Sequence, residues 1–254
     1  MIKQIKTALV TGAGQRIGRQ IAIDLARDGW AVAVHYVSSD DEAQSVVDEI
    51  AAAGGTAVKI DGDLGEADAP GKIIDEAVGA LGPLTLLVNN ASLFEHDEIG
   101  DMTIKSWDRH LDINLRAPVF LAQGFAAQLP KGQKANIVNL IDQRVWRLTP
   151  AFVSYTISKS GLWTATQTLA QALAPDIRVN AIGPGPALAS ARMETLEFEK
   201  QCSLMPLEVG TSPQEISSAL AFILSAPAMT GQMIALDGGQ HLAWKTPDFI
   251  EVSE

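Results

Sequence analysis

Short apolar runs alternate with longer amphipathic stretches along the whole chain, and this alternation constrains the fold more than any other feature. "TALVTG" (7–12) precedes "RIGRQIAIDLARDG" (16–29), "AVAVHYV" (31–37) precedes "DDEAQSVVDEIAAAGG" (40–55), and "TAVKIDGDL" (56–64) precedes "APGKIIDEAVGALG" (69–82). The pattern continues with "LTLLVNNAS" (84–92), one long helical region over 104–129, "ANIVNLID" (135–142), a helix over 152–174 and "IRVNAIGPG" (177–185). A helix around 212–226 and a seventh candidate strand, "GQMIALDGG" (231–239), complete it. Apolar runs without polar alternation are strands covered on both faces, and a helix between successive strands makes them parallel. The reading is α/β: a single Rossmann-type doubly wound parallel sheet of about seven strands with helices on both faces. No Pro/Ser-rich linker or repeat divides the chain, so residues 1–254 are expected to form one domain.

Composition removes several function classes. The 19 Lys and Arg against 30 Asp and Glu leave a net charge of −11, the wrong sign for a surface that binds phosphate backbones. No run approaches the roughly 20 apolar residues of a membrane span, and the start lacks a signal-peptide pattern, so a cytoplasmic protein is expected. Cys202 is the only cysteine, which rules out an intrachain disulfide and reads as a small buried residue. His35, His96, His110 and His241 lack metal-ligand spacing, and no metal is expected.

"TGAGQRIG" sits between the first strand and the first helix. Gly12, Gly14 and Gly18 there allow a tight turn, approach of a pyrophosphate and close packing of helix on strand. The helix N-terminus at Ile17 adds amide donors for an anion. Such a fold often ends its second strand with an acid that bonds the ribose of NAD. Here His35 takes that place, and the nearest acids, Asp40 and Asp41, come later. An acid would repel a 2′-phosphate; Arg16, Ser38 and Ser39 would instead attract one. The expected cofactor is NADPH, with NADH less suited.

Tyr155 and Lys159 share a helix face at i and i+4. An ammonium and a cationic nicotinamide near the phenol would favour its phenolate and bring its pKa toward working range. Together these residues resemble the short-chain dehydrogenase/reductase family over nearly the whole chain. "TGxxxRIG" is similar to the family's TGxxxGxG, with Arg16 replacing a glycine; "NNAS" resembles NNAG, "YTISK" is the YxxxK, and "NAIGPG" matches the strand and PG turn. The resemblance implies that Tyr155 exchanges the proton, that Lys159 holds the ribose and lowers the tyrosine pKa, and that Asn114 helps fix a water chain. It also implies cofactor contacts from Asn90, Ala91, Ser92, Pro184 and Gly185, and adenine contacts from Asp63 and Leu64.

Asp142 stands where most of the family has serine. An ionised carboxylate only accepts hydrogen bonds, so it suits a substrate with N–H donors or a nitrogen to protonate. This resembles the pteridine reductase and dihydromonapterin reductase branch, which also has an arginine in the glycine turn and a phenylalanine after NNAS, here Phe94. Trp146 is a further candidate for covering substrate. A small-molecule reductase of a pterin-like ring is the leading expectation. The alternatives are a carbonyl or alcohol oxidoreductase and a nucleotide-binding protein without turnover. Residues 187–213 are expected to form a substrate lid, with Ser190 the nearest hydroxyl beyond the PG turn. The resemblance and the broadly apolar helices further imply a homotetramer, with Trp244 and Phe249 of the tail docking on a neighbouring subunit.

Overall fold

Seven parallel strands lie side by side in the computed structural model, which describes residues 6–187 and 195–244. They are β1 (Thr7–Val10), β2 (Ala31–Tyr36), β3 (Thr56–Asp61), β4 (Leu86–Asn89), β5 (Ala135–Leu140), β6 (Ile177–Pro184) and β7 (Met233–Leu236). Their order, β3-β2-β1-β4-β5-β6-β7, reverses direction between β1 and β4. β1 pairs with β2 and β4, Ala8 meeting Val32 on one side and Leu86 on the other. A sheet that reverses there opens a crevice beyond the carboxyl ends of its strands, where such folds bind ligands.

Helices cover both faces. On one, α1 (Arg16–Arg27), α2 (Asp40–Ala52) and α8 (Pro213–Ser225) pack Ile21, Val46 and Ile216 against Val10, Val34 and Ile182. On the other, α3 (Ala69–Leu81), α5 (Ala117–Gln128) and the end of α6 (Val153–Ala172) cover Leu9, Leu87 and Val179 with Ile73, Phe125 and Ala170. The strands have apolar residues on both sides because both sides are interior. α8 begins with a capping box, Ser212 and Glu215 each satisfying the other's backbone N–H, with Pro213 in its first turn.

The expected single helix over 104–129 is broken into α4 (Ile104–Leu111), a π-helical turn at Asp112–Arg116, and α5. Pro118 explains the break. It has no N–H for the carbonyl four residues back, at Asn114, so regular winding loses a bond there. A further helix, α7 (Thr195–Ser203), lies within the stretch read from sequence as a lid. Residues 188–194 of that stretch, with Ser190, and residues 245–254, with Phe249, fall outside the described residues.

Candidate active site

The crevice is a cavity of about 760 Å³ that runs from the glycine turn to the start of α6. Gly12, Arg16, Ile17 and Gly18 border one end. Gly18 is required there: a Cβ on it would lie 2.3 Å from the Gly12 carbonyl and 2.5 Å from the Asn90 side chain. Asn90 braces the turn from β4, its amide donating to the carbonyls of Thr11 (2.8 Å) and Gly12 (3.1 Å). The Thr11 hydroxyl in return accepts from the backbone of Asn90 and Ala91. Arg16 adopts the left-handed conformation, φ 54°, that a glycine takes without cost. The chain therefore accepts backbone strain to place a guanidinium at the cavity rim. Ser38 and Ser39 border the same end, with Tyr36 and Val37. Asp40, the nearest acid, is engaged by Lys59 at 2.7 Å and by Tyr36, whose hydroxyl it pushes up to about 12.

At the other end, Tyr155 donates to Asp142 Oδ2 at 2.9 Å. Asp142 caps the short 3₁₀ turn Gln143–Val145, its Oδ1 accepting from the Arg144 backbone at 2.8 Å. Burial raises the Asp142 carboxyl above its usual range, against the pull of the Arg144 backbone and charge. Burial and the Asp142 charge together push the Tyr155 phenol well above 10. The expectation that Lys159 brings this phenol down is thereby corrected for the free protein. The nearest charge to the hydroxyl is a carboxylate, which opposes ionisation. Lys159 donates to the Leu140 carbonyl at 2.8 Å, and burial lowers its own pKa to about 8. The site thus holds a neutral phenol, a carboxylate with raised proton affinity and an easily neutralised ammonium within one buried cluster.

Phe94 borders the cavity, stacked on Phe152 with ring centres 4.5 Å apart and meeting Tyr155 edge-on at 4.7 Å. Arg144 lies over Phe152, 4.8 Å from its centre. Sequence reasoning passed over Phe152 and Arg144. Phe152 is held left-handed at φ 59° immediately before α6, a conformation that no residue-type pattern announces.

Ala91, Ser92, Pro184 and Gly185 also border the cavity. Six expected residues stand elsewhere. His35 is fully buried; Gly12 N–H donates to its Nδ1 at 3.1 Å and its Nε2 bonds the Gly62 carbonyl at 2.8 Å. The strand read as 31–37 ends at Tyr36, which borders the cavity, while the neighbouring His35 pins the turn from beneath. Gly14 makes room for α2 instead, since a Cβ on it would meet the Ser39 hydroxyl at 2.9 Å. Asp63 accepts from Gly65 N–H and faces Arg109, and Leu64 is buried in the layer under α3. Trp146 packs edge-on against His241 and Trp163 away from the cavity wall. Asn114, fully buried in the π-helical turn, bonds both backbone groups of Leu93 and the Ser158 hydroxyl. It positions the loop that carries Phe94 rather than bordering the cavity.

These residues fit a dinucleotide. The turn leaves no room for a side chain at Gly18, a helix begins against the cavity, and a cation with two hydroxyls stands at the far rim. Among the described residues no group of three or more His, Cys, Asp or Glu side chains gathers to hold a metal, and no helix is long and apolar enough to cross a membrane.

Residues 12–241 match the family model described as enoyl-(acyl carrier protein) reductase. The chain is 33% identical over 243 residues to the 3-oxoacyl-(acyl-carrier-protein) reductase FabG of Staphylococcus epidermidis, covering 93% of this chain and 99% of that one. It is similar to the FolM alternative dihydrofolate reductase 1 of Brucella canis, solved with NADP, at a TM-score of 0.92 and 49% identity over 95% of this chain and 96% of that one. The same protein of Brucella suis, also solved with NADP, gives 0.93 and 47% over 98% and 99%. With the family model matched over residues 12–241 and a relative 33% identical over 93% of this chain, the chain belongs to the short-chain dehydrogenase/reductase family.

Proposed function

We propose that this oxidoreductase reduces a C=N bond of a pterin-like heterocycle at the expense of NADPH. One observation carries the reading: the tyrosine of the YxxxK pair donates a hydrogen bond to a half-buried carboxylate, Asp142, where a carbonyl reductase needs a second donor. Support comes also from the 47–49% identity to proteins described as alternative dihydrofolate reductases. Bound NADPH supplies the hydride that the substrate carbon takes. The nitrogen then needs a proton, and Tyr155, held as a phenol, has one to give. Asp142, a carboxylate while it accepts N–H groups of the ring, then takes a proton from solvent with its raised proton affinity and passes it to the Tyr155 phenolate. Lys159 orients the ribose hydroxyls, Phe94 offers a stacking face, and Arg16 with Ser38 and Ser39 receives the 2′-phosphate.

A carbonyl reductase is the second reading, favoured by the 33% identity to FabG. NADPH oxidation, followed with a panel of pterins, dihydropterins, dihydrofolate and 3-oxoacyl thioesters, separates the two. Turnover of the pterin group is expected; turnover of thioesters alone overturns the proposal. We further propose a homotetramer. Phe120 on α5 and Ile157 on α6 are about half exposed in the single chain, as a covered helix face would leave them. Light scattering that gives a particle of 27.0 kDa, the mass of one chain, overturns that assembly.

A further inference from the structure

Two carboxamides at the substrate end of the cavity have no part in the mechanism above. Gln143 follows Asp142 in the 3₁₀ turn and Gln240 follows β7, and both border the cavity. Gln143 is only 4% exposed. In each, the side-chain oxygen is buried with no hydrogen-bond partner among the described residues. An orphaned buried amide oxygen costs stability, and a fold keeps one chiefly where something else can satisfy it.

Their backbones are nonetheless well held. Gln143 O accepts from Trp146 N at 2.9 Å and from Arg147 N at 3.3 Å. Arg147 also reaches across to Gln240 O with its guanidinium, at 3.3 Å. Gln240 N donates to Asp237 O at 2.9 Å. Arg147 therefore ties the two amide-bearing turns together, although it stands 93 residues from Gln240 in sequence. Two orphaned acceptors on fixed backbones, in one cavity wall beside Asp142, make a polar reading surface rather than two loose side chains.

We infer that Gln143 and Gln240 are specificity residues that recognise a cyclic amide edge, an N–H beside a C=O, on the substrate ring. A carboxamide carries an acceptor and a donor side by side, so its complement is a group with a donor and an acceptor side by side. Asp142, which offers acceptors alone, suits instead an amino or ring N–H group. The division of labour follows from these donor and acceptor inventories. The inference rests on the pterin-type reading above, whose ring carries a lactam edge and an amino group.

The test crosses two side-chain changes with two ligands. Gln143→Met and Gln240→Met keep length and volume but remove the amide. Each is assayed with a dihydropterin that has the 4-oxo lactam and with its 4-amino counterpart, which lacks it. Binding of both ligands to the NADP⁺ complex is measured in parallel, so the readout does not depend on turnover. A site built to pair an amide edge loses discrimination when the pairing group goes. The parent is expected to favour the lactam roughly 10²-fold, and Gln143→Met to lower kcat/KM and affinity for the lactam ligand alone by about that factor. Gln240→Met is expected to act in the same direction, and both variants keep NADP⁺ affinity within about twofold, since loss of a uniform binding contact is confined to the ligand that made it. Equal losses for both ligands, or unchanged discrimination, overturn the inference and leave the proposed function standing. A parent that neither binds nor reduces any pterin overturns both.

Discussion

The turn Thr11–Gly18 meets its neighbours mainly through main-chain atoms, whereas the wall from Leu140 to Tyr155 faces the cavity with side chains drawn from distant segments. At the first end Gly18 packs on the Gly12 carbonyl, Asn90 bonds two backbone oxygens, and even Arg16 contributes by adopting a glycine's conformation. At the second, Phe94, Asp142, Arg144, Phe152 and Tyr155 come from two connections, after β4 and after β5, and from α6, and their rings and charges interlock. The difference has a functional sense. A dinucleotide's phosphates are recognised by amides that any sequence with the right glycines supplies. Substrate choice must be written in side chains, so this wall is where members of one fold diverge.

The sharpest way to break the comparison is to remove the proton. Tyr155→Phe keeps the ring against Phe94 and deletes only the hydroxyl bonded to Asp142. Turnover is expected to fall roughly 10³-fold, within the range for a general acid, with NADP⁺ affinity unchanged. Stopped-flow hydride transfer and fluorescence titration of the cofactor measure the two separately. If cofactor affinity falls as much as the rate, the two ends are not independent.

Asp142→Ser asks whether the acid or merely a polar group is needed. Reduction of a dihydropterin is expected to drop by roughly 10²-fold, because serine cannot take over the proton affinity that burial gives Asp142. Any 3-oxoacyl activity should stay level or rise, since serine donates to a carbonyl. Undiminished dihydropterin turnover in this variant refutes the role given to the carboxylate. A smaller effect belongs to the other end of the cavity. Arg16→Ala should weaken NADPH relative to NADH by roughly 1.5–3 kcal/mol, the value of a charge-assisted contact. Removing a left-handed residue's long side chain leaves φ 54° no easier to hold, so Arg16→Gly serves as the control for strain. Equal kcat/KM for NADH and NADPH in the parent refutes the preference outright.

The sequence discloses these two ends unequally, for a physical reason. Strand and helix order follows from periodicity, and every strand lies where an apolar run stands. The glycine turn is legible because steric demands act within a few residues: no Cβ fits at Gly18, and Gly12 holds a left-handed φ of 61°. Tyr155 and Lys159 are legible because i and i+4 share a helix face. What the pattern misplaces are side chains whose direction depends on where an element stops. His35 lies beneath the turn and Tyr36 borders the cavity because successive side chains of β2 point to opposite faces, so an offset of one residue exchanges the two. Gln143, Phe152 and Arg144 stay hidden because only the folded loops bring them to one wall.

Lys159 supplies the smallest effect and the one that links site to stability. Burial lowers its pKa from 10.5 in the unfolded chain to about 8 in the folded one. A depressed lysine is a liability at neutral pH, where the folded state must keep a charge that burial disfavours. Between the two values the unfolded chain binds the proton and the folded one does not, so stability rises with pH. Integrated from pH 7 to pH 9, the gain is about 1 kcal/mol. Lys159→Met has no such proton, and groups titrating elsewhere are common to both proteins. Urea unfolding of the cofactor-free parent should therefore gain about 1 kcal/mol on the variant across that interval, with the m-values equal. The Leu140 carbonyl loses its donor in the variant, which shifts the offset between the curves but not their difference in slope. Parallel curves would mean that Lys159 stays charged throughout, held by Asp142, and that the ammonium at this end of the cavity is permanent rather than easily neutralised.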